Sequence, residues 1–238
     1  MNNHNFHPLI IKLSDRIEAI WHQYLSISTY EMPEDLGYVE GKLEGERLTI
    51  QNRCYQSPQF RKLHIELAQV GANLDILHCV MYPRFDYPLP IFGADLIGGK
   101  AGISAAIVDI SPTVTMPETI SEPIREWQKS QLSFSQPREL PAWGKEIFSD
   151  FCLFVRPQGQ LEEDLFFQTI EKYCSQVCEV AAKSAPSSSN HEQETIQTRQ
   201  RYYCQQQQQN DKTRRILEKA FGKEWADRYM NTVLFDVL

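Results

Sequence analysis

The chain has 238 residues and a formal charge of −7, from 24 basic and 31 acidic side chains. That balance excludes the basic excess of a nucleic-acid binder, and a hydrophobic fraction of 42%, with 12 Phe, 10 Tyr and 4 Trp, excludes a disordered chain and supplies a continuous core. Apolar runs such as 103–110 are interrupted by Asp or Ser and fall short of the roughly 20 residues of a bilayer span, so no membrane partner is expected. Met1-Asn2-Asn3-His4-Asn5 lacks the basic and apolar regions of an export signal, and the expectation is a cytoplasmic monomer with residues 1–238 forming a single domain.

Residues 9–28 place Leu9, Leu13, Ile17, Ile20, Trp21 and Tyr24 at helical spacing, ahead of the breaker Met32-Pro33-Glu34-Asp35. From Gly37 to about Pro112 the period changes to two. Runs at 38–43 and 48–51 flank Glu44-Gly45-Glu46 as a hairpin, and strand patterns follow at 61–69, 75–82, 89–97 and 103–110. The turns between them are too short for crossover helices, which predicts an antiparallel meander of about six strands. Helical pattern returns at 117–132, a further strand is expected within 148–155, and a long helix over 162–183. The segment 185–190 is a breaker, and 193–231 reads as mostly helical with a break at Gly222 and a solvated glutamine face at 205–209. Helices on either side of a central antiparallel sheet predict an α/β fold, a three-layer α/β/α sandwich.

No cofactor fingerprint interrupts this pattern. Gly98-Gly99-Lys100-Ala101-Gly102 misses the dinucleotide spacing and precedes a strand, so it reads as a turn. Among the six cysteines the one close pair, Cys174 and Cys178, has helical spacing, which suits small buried hydrophobes better than a metal or redox pair.

The informative residues are ionisable groups inside core-like strands. Side chains alternate along a strand, so His64 and Glu66 share one face of the 61–69 run, opposite Leu63, Ile65 and Leu67. A turn centred on Ala72 sets Glu66 opposite His78, and a connection centred near residues 86–87 sets His78 opposite Asp95. Directly opposite residues point to the same face about 5 Å apart at Cβ. Each of the three read singly suits a solvated strand face. Together they form a row in which two carboxylates flank an imidazole, an arrangement that perturbs proton affinity and supports proton donation. Iron binding is the rival reading, but a facial triad needs a second histidine and only His64 is near, so no metal is expected.

Several strings of the chain carry a resemblance. Pro33-Glu34-Asp35-Leu36-Gly37-Tyr38-Val39-Glu40-Gly41, Asn52-Arg53-Cys54-Tyr55-Gln56, Phe60-Arg61-Lys62-Leu63-His64-Ile65-Glu66-Leu67 and Leu74-Asp75-Ile76-Leu77-His78-Cys79-Val80-Met81 resemble the ferredoxin-dependent bilin reductases, as does Gln206-Gln207-Gln208-Gln209-Asn210-Asp211-Lys212-Thr213-Arg214-Arg215. The likeness runs from about residue 30 to the end, and only 184–195 differs in length and composition. It implies the reduction of biliverdin IXα to phycocyanobilin with single electrons from reduced ferredoxin, through substrate radicals and with no bound metal or flavin. It implies a bilin lying between the sheet and the C-terminal helices. Asp95 is implied as a proton donor to the bilin, His78 as its partner near the lactam oxygens and Glu66 as donor for the D-ring vinyl group. His64 is implied as a relay histidine behind them, and Ser104, Arg138 and Lys212 as holders of the propionates. The alternative from another class is a bilin carrier that does no chemistry, which would need apolar walls and propionate anchors but no acid–imidazole row. For the ferredoxin partner, residues 199–228 hold eight basic side chains against four acidic ones, a local positive patch on an acidic chain.

Overall fold

The computed structural model describes residues 6–131 and 133–236. Helix α1 (Pro8–Tyr24) begins with proline in its first turn, where a missing N–H is harmless, and His7 Nδ1 accepts the Leu9 N–H. The chain turns extended at Leu25, earlier than the helical spacing predicts. The alternating Leu25–Tyr30 stretch then yields a two-residue strand β1 (Ser28–Thr29) that pairs with Gln56 and Tyr55. After the short helix α2 (Glu34–Gly37) come β2 (Tyr38–Leu43), β3 (Glu46–Gln56), β4 (Phe60–Val70), β5 (Leu74–Pro83), β6 (Ile91–Gly98) and β7 (Ala105–Ser111). Each of β2 to β7 pairs antiparallel with the next, which is the meander expected, with β3 longer than the hairpin pattern indicates. Helix α3 (Glu118–Ser130) and the short α4 (Ala142–Lys145), which the sequence pattern did not indicate, follow; the predicted end of the former at residue 132 lies outside the described residues. Strand β8 (Leu153–Val155) then adds to β7 and occupies only the last part of 148–155, because Ser149 is drawn into a turn around Asp109.

β4 is buried along nearly its whole length, so both faces of the sheet are covered. One face carries Leu63, Ile65, Leu67, Leu77, Cys79, Met81, Phe92, Ala94 and Leu96, packed against α1, α3 and α5 (Gly159–Lys183). Cys174 and Cys178 lie inside this layer. The opposite face carries Leu48, Ile50, Ala68, Val80, Tyr82 and Ile91, under α6 (Asn190–Gln207), α7 (Asp211–Phe221) and α8 (Lys223–Tyr229). The molecule is therefore an α/β/α sandwich around an antiparallel sheet.

The 193–231 region is three helices rather than two. Gly222 supplies the expected break with φ at +87°, a conformation other residues adopt only under strain, and a second break falls at Asn210, whose side chain caps α7. The glutamine run is not a purely solvated face: Gln207 is buried and its Nε2 donates to Tyr203 Oη at 3.0 Å. After α8 the chain makes a π-helical turn, Met230–Leu234, and residues 230–235 pack on this face of the sheet.

Candidate active site

The second face of the sheet, beneath the C-terminal helices, carries the polar row. Asn52 on β3 is the register partner of Glu66 on β4, Glu66 of His78 on β5, and His78 of Asp95 on β6. The alternation that buries Leu63, Ile65 and Leu67 on one face forces these four side chains onto the other. His64, two residues before Glu66, joins them there.

The contacts are close. His78 Nδ1 lies 2.6 Å from Asp95 Oδ1, with the imidazole buried and the carboxylate 40% exposed, so the pair bridges the interior and the opening of the layer. His64 Nε2 lies 2.8 Å from Asn52 Oδ1, and the His64 and His78 rings meet edge to face at 5.7 Å. Phe235, from the chain end, places its ring edge-on to His78 at 5.8 Å. Glu66 is hydrogen-bonded to Tyr229 Oη of α8. Two buried ring nitrogens, His64 Nδ1 and His78 Nε2, have no hydrogen-bond partner among the described residues. Buried polar atoms are rarely left so.

Burial sets the protonation of the row. It pushes the Glu66 carboxyl up, against the opposing pull of His78 and the Tyr229 hydrogen bond. Burial pushes the His78 imidazole down, but the charge and hydrogen bond of Asp95, with Glu66 behind, more than offset it, so the net direction is up. His64 goes well below the ordinary histidine value, through burial and then the positive charges of Lys62 and His78, and is neutral. A carboxyl raised by burial, an imidazole raised by Asp95 and an imidazole lowered by burial thus stand side by side, an arrangement suited to holding and handing on protons.

Ser104 and Arg138 meet at the edge of this face. The Arg138 guanidinium donates to the Ser104 carbonyl at 2.6 Å, and Ser104 Oγ donates to the carbonyl of Ile97, two residues along β6 from Asp95 on the same side. Lys212 stands in the first turn of α7, and among the described residues no hydrogen bond or ion pair joins it to Ser104 or Arg138. Three further residues meet the site without a role assigned from the sequence: Asn52 and Lys62, which lie inside strings that carry the resemblance, and Tyr229. Asn52 lay outside the register argument: a turn centred on Pro58 would set it opposite His64, whereas the structure pairs it with Glu66. No local signal marks Tyr229, since helical spacing indicates a buried face but not its partner.

The model of the family described as ferredoxin-dependent bilin reductase matches residues 14–236. The chain is 54% identical over 232 residues to the phycocyanobilin:ferredoxin oxidoreductase of Trichodesmium erythraeum (strain IMS101), covering 96% of this chain and 93% of the relative. It is likewise 54% identical over 233 residues to the phycocyanobilin:ferredoxin oxidoreductase of Synechococcus elongatus (strain ATCC 33912 / PCC 7942 / FACHB-805), covering 97% and 94%. Tomato phytochromobilin synthase, solved in complex with biliverdin, shares the fold with a TM-score of 0.79 at 14% identity, over 95% of this chain and 82% of that one. A family match spanning nearly the whole chain, with close relatives over the same length, shows that the chain belongs to the ferredoxin-dependent bilin reductases.

Proposed function

We propose that the chain reduces biliverdin IXα to phycocyanobilin by four electrons delivered singly from reduced ferredoxin, through substrate radicals, as a single-domain monomer in the cytoplasm. The observation that carries this reading is the row Asn52, Glu66, His78, Asp95 on the sheet face under the C-terminal helices, in a chain with close relatives named for phycocyanobilin. Each electron added to a conjugated tetrapyrrole raises its basicity, so balance requires one proton per electron and donors beneath the π-system. In this reading Asp95, the most accessible of the row, protonates the bilin and His78 holds and replenishes that proton. Glu66, two strands away from Asp95, serves the D-ring vinyl group, with His64 as the neutral relay behind. Ser104, Arg138 and Lys212 anchor the propionates. Protons and electrons both go to the substrate, and no resident metal or flavin is needed.

The test is incubation with biliverdin and reduced ferredoxin, followed by visible spectroscopy and chromatography of the extracted pigment. Phycocyanobilin is the expected product. Asp95→Asn keeps the shape without the acid and should bind biliverdin, accept an electron and stall as a radical detectable by electron paramagnetic resonance. Glu66→Gln should stop with the vinyl group intact. A pigment that binds but leaves unreduced would make the chain a carrier.

A further inference from the structure

The buried contacts around Tyr229 contain one proton too few if Glu66 is ionised. Tyr229 Oη is hydrogen-bonded to Glu66 Oε2 and lies 3.0 Å from Asn52 Oδ1. A phenol carries a single proton and cannot donate to both. The orientation of Asn52 removes the usual escape: its Nδ2 donates to the Leu36 carbonyl at 2.7 Å, and that carbonyl can only accept. Turning the amide over would set two oxygens face to face there. Asn52 Oδ1 therefore faces Tyr229 and His64, and a neutral His64 gives it the Nε2–H at 2.8 Å. If the phenol proton pointed at a Glu66 carboxylate, Asn52 Oδ1 and Tyr229 Oη would oppose each other without a proton between them, in a setting where Asn52, Glu66, His64 and Tyr229 are all buried.

We propose that Tyr229 and Asn52 are positioning residues that hold Glu66 as a neutral acid in the resting protein, through a one-directional chain. The Glu66 carboxyl donates to Tyr229 Oη, the Tyr229 hydroxyl donates to Asn52 Oδ1, His64 Nε2–H donates to the second lone pair of that oxygen, and Asn52 Nδ2 donates to Leu36. Every donor then has an acceptor. The amide is anchored to backbone and cannot turn, so it fixes the direction of the phenol, and the phenol offers Glu66 an acceptor instead of a proton. The groups facing Glu66 are mixed: Asp95 on β6 favours the neutral acid, whereas a charged His78 or a donating Tyr229 would favour the carboxylate. His78 on β5 would favour a carboxylate when charged, but its Nδ1 is directed to Asp95 on β6. Lys62 on β4 is engaged with Val233, Cys54 on β3 is half-buried with its thiol pushed up to about 11, and Tyr229 is the group contributed by α8. Burial pushes the carboxyl toward the neutral form. The inference deepens the reading of Glu66 as a proton donor, giving that proton its holder.

Infrared spectroscopy of the whole protein without substrate at neutral pH tests it independently of turnover. A protonated-carboxyl band present in the natural chain and lost in Glu66→Gln is expected; its absence would overturn the proposal. In Asn52→Leu the phenol loses its acceptor and turns to Glu66, so the band should fall by about half or more, whereas a merely structural Asn52 would leave it unmoved. Tyr229→Phe should shift the band to that of a carboxyl without a strong acceptor and, with biliverdin and reduced ferredoxin, slow vinyl reduction by about tenfold, the size of one hydrogen bond, while biliverdin affinity stays within about threefold. An unshifted band in Tyr229→Phe contradicts the chain even where Asn52→Leu fails to fold. Should the band behave as expected while Glu66→Gln reduces the vinyl group normally, the resting proton stands and the donor role of Glu66 falls.

Discussion

Lys62→Met tests what closes the chain end over the site. A register irregularity between Phe60 and Lys62 turns Arg61 and Lys62 toward the same layer, and both reach Asp236. The Lys62 side chain is 1% exposed; its Nζ donates to the Val233 carbonyl at 2.5 Å and lies 3.6 Å from Asp236 Oδ1. Those contacts fix the π-helical turn and with it Phe235, which rests on His78. Methionine keeps the unbranched stem and removes the ammonium. A hydrogen bond to a charged donor is worth about 1.5–3 kcal/mol, and the carbonyl left bare adds to the loss. Against this stands the relief of a buried cation, whose pKa burial lowers, and Asp236 keeps Arg61 at 2.7 Å. The net is about 2 kcal/mol, or roughly a 0.7 M lower urea midpoint for a slope near 3 kcal/mol/M. Hydrogen exchange separates local from global loss. The Phe235 N–H, bonded to Met230 O at 2.8 Å, should exchange about 30-fold faster by local opening, ahead of the β4 and β5 amides. Unchanged protection at Phe235 would show that Lys62 supports the core and not the chain end.

The raised Glu66 carboxyl has a signed consequence for stability. The folded chain keeps a proton there that the unfolded chain releases near pH 4.5, so stability falls as pH rises from about 4.5 to the folded value. His78, also raised, adds a fall as pH passes its folded value; His64, lowered, adds a rise below about pH 6.5. Glu66→Gln should therefore gain on the natural chain as pH climbs from 4 toward 7, measured by urea midpoints, and a constant difference over that range refutes the buried acid. Turnover with ferredoxin should slow with added salt, though less steeply than eight cations imply. Arg214 and Arg215 pair with Asp227 and Asp211 within the segment, and Lys219 and Arg228 pair with Glu44 and Asp35 outside it. A rate indifferent to ionic strength removes the patch from the encounter.

The meander and its register were legible because short antiparallel turns carry a symmetry. Once Ala72 is taken as a centre, the pairing of Glu66 with His78 follows, and the structure places them so. The element ends were not legible. Leu25–Tyr30 satisfies helical and alternating patterns alike, and the choice is made by the edge of β3, which takes up Ser28 and Thr29. The loss of residues 148–152 from β8 has the same kind of cause: buried Asp109 accepts from the backbone and hydroxyl of Ser149, holding the chain in a turn that no pattern around Ser149 announces.

The acids and imidazoles of the site stood out because an ionisable side chain breaks the pattern of a core strand. The residues that govern them did not, for two reasons. Asn52 opens one of the strings that carry the resemblance, but it is uncharged and fits a strand edge, so the strand pattern gives it no role until Leu36, 16 positions earlier, is seen to fix its amide. Tyr229 and Lys62 act on Glu66 and on the chain end across separations of 163 and 171 residues, and helical or strand period specifies a face without specifying what meets it. The contrast has a physical basis. A strand row is written locally, since pleat and turn place each side chain relative to its neighbours. A proton's resting place is decided by donors and acceptors converging from α8, β3 and β4, and only their assembled geometry shows that one phenol faces two acceptors.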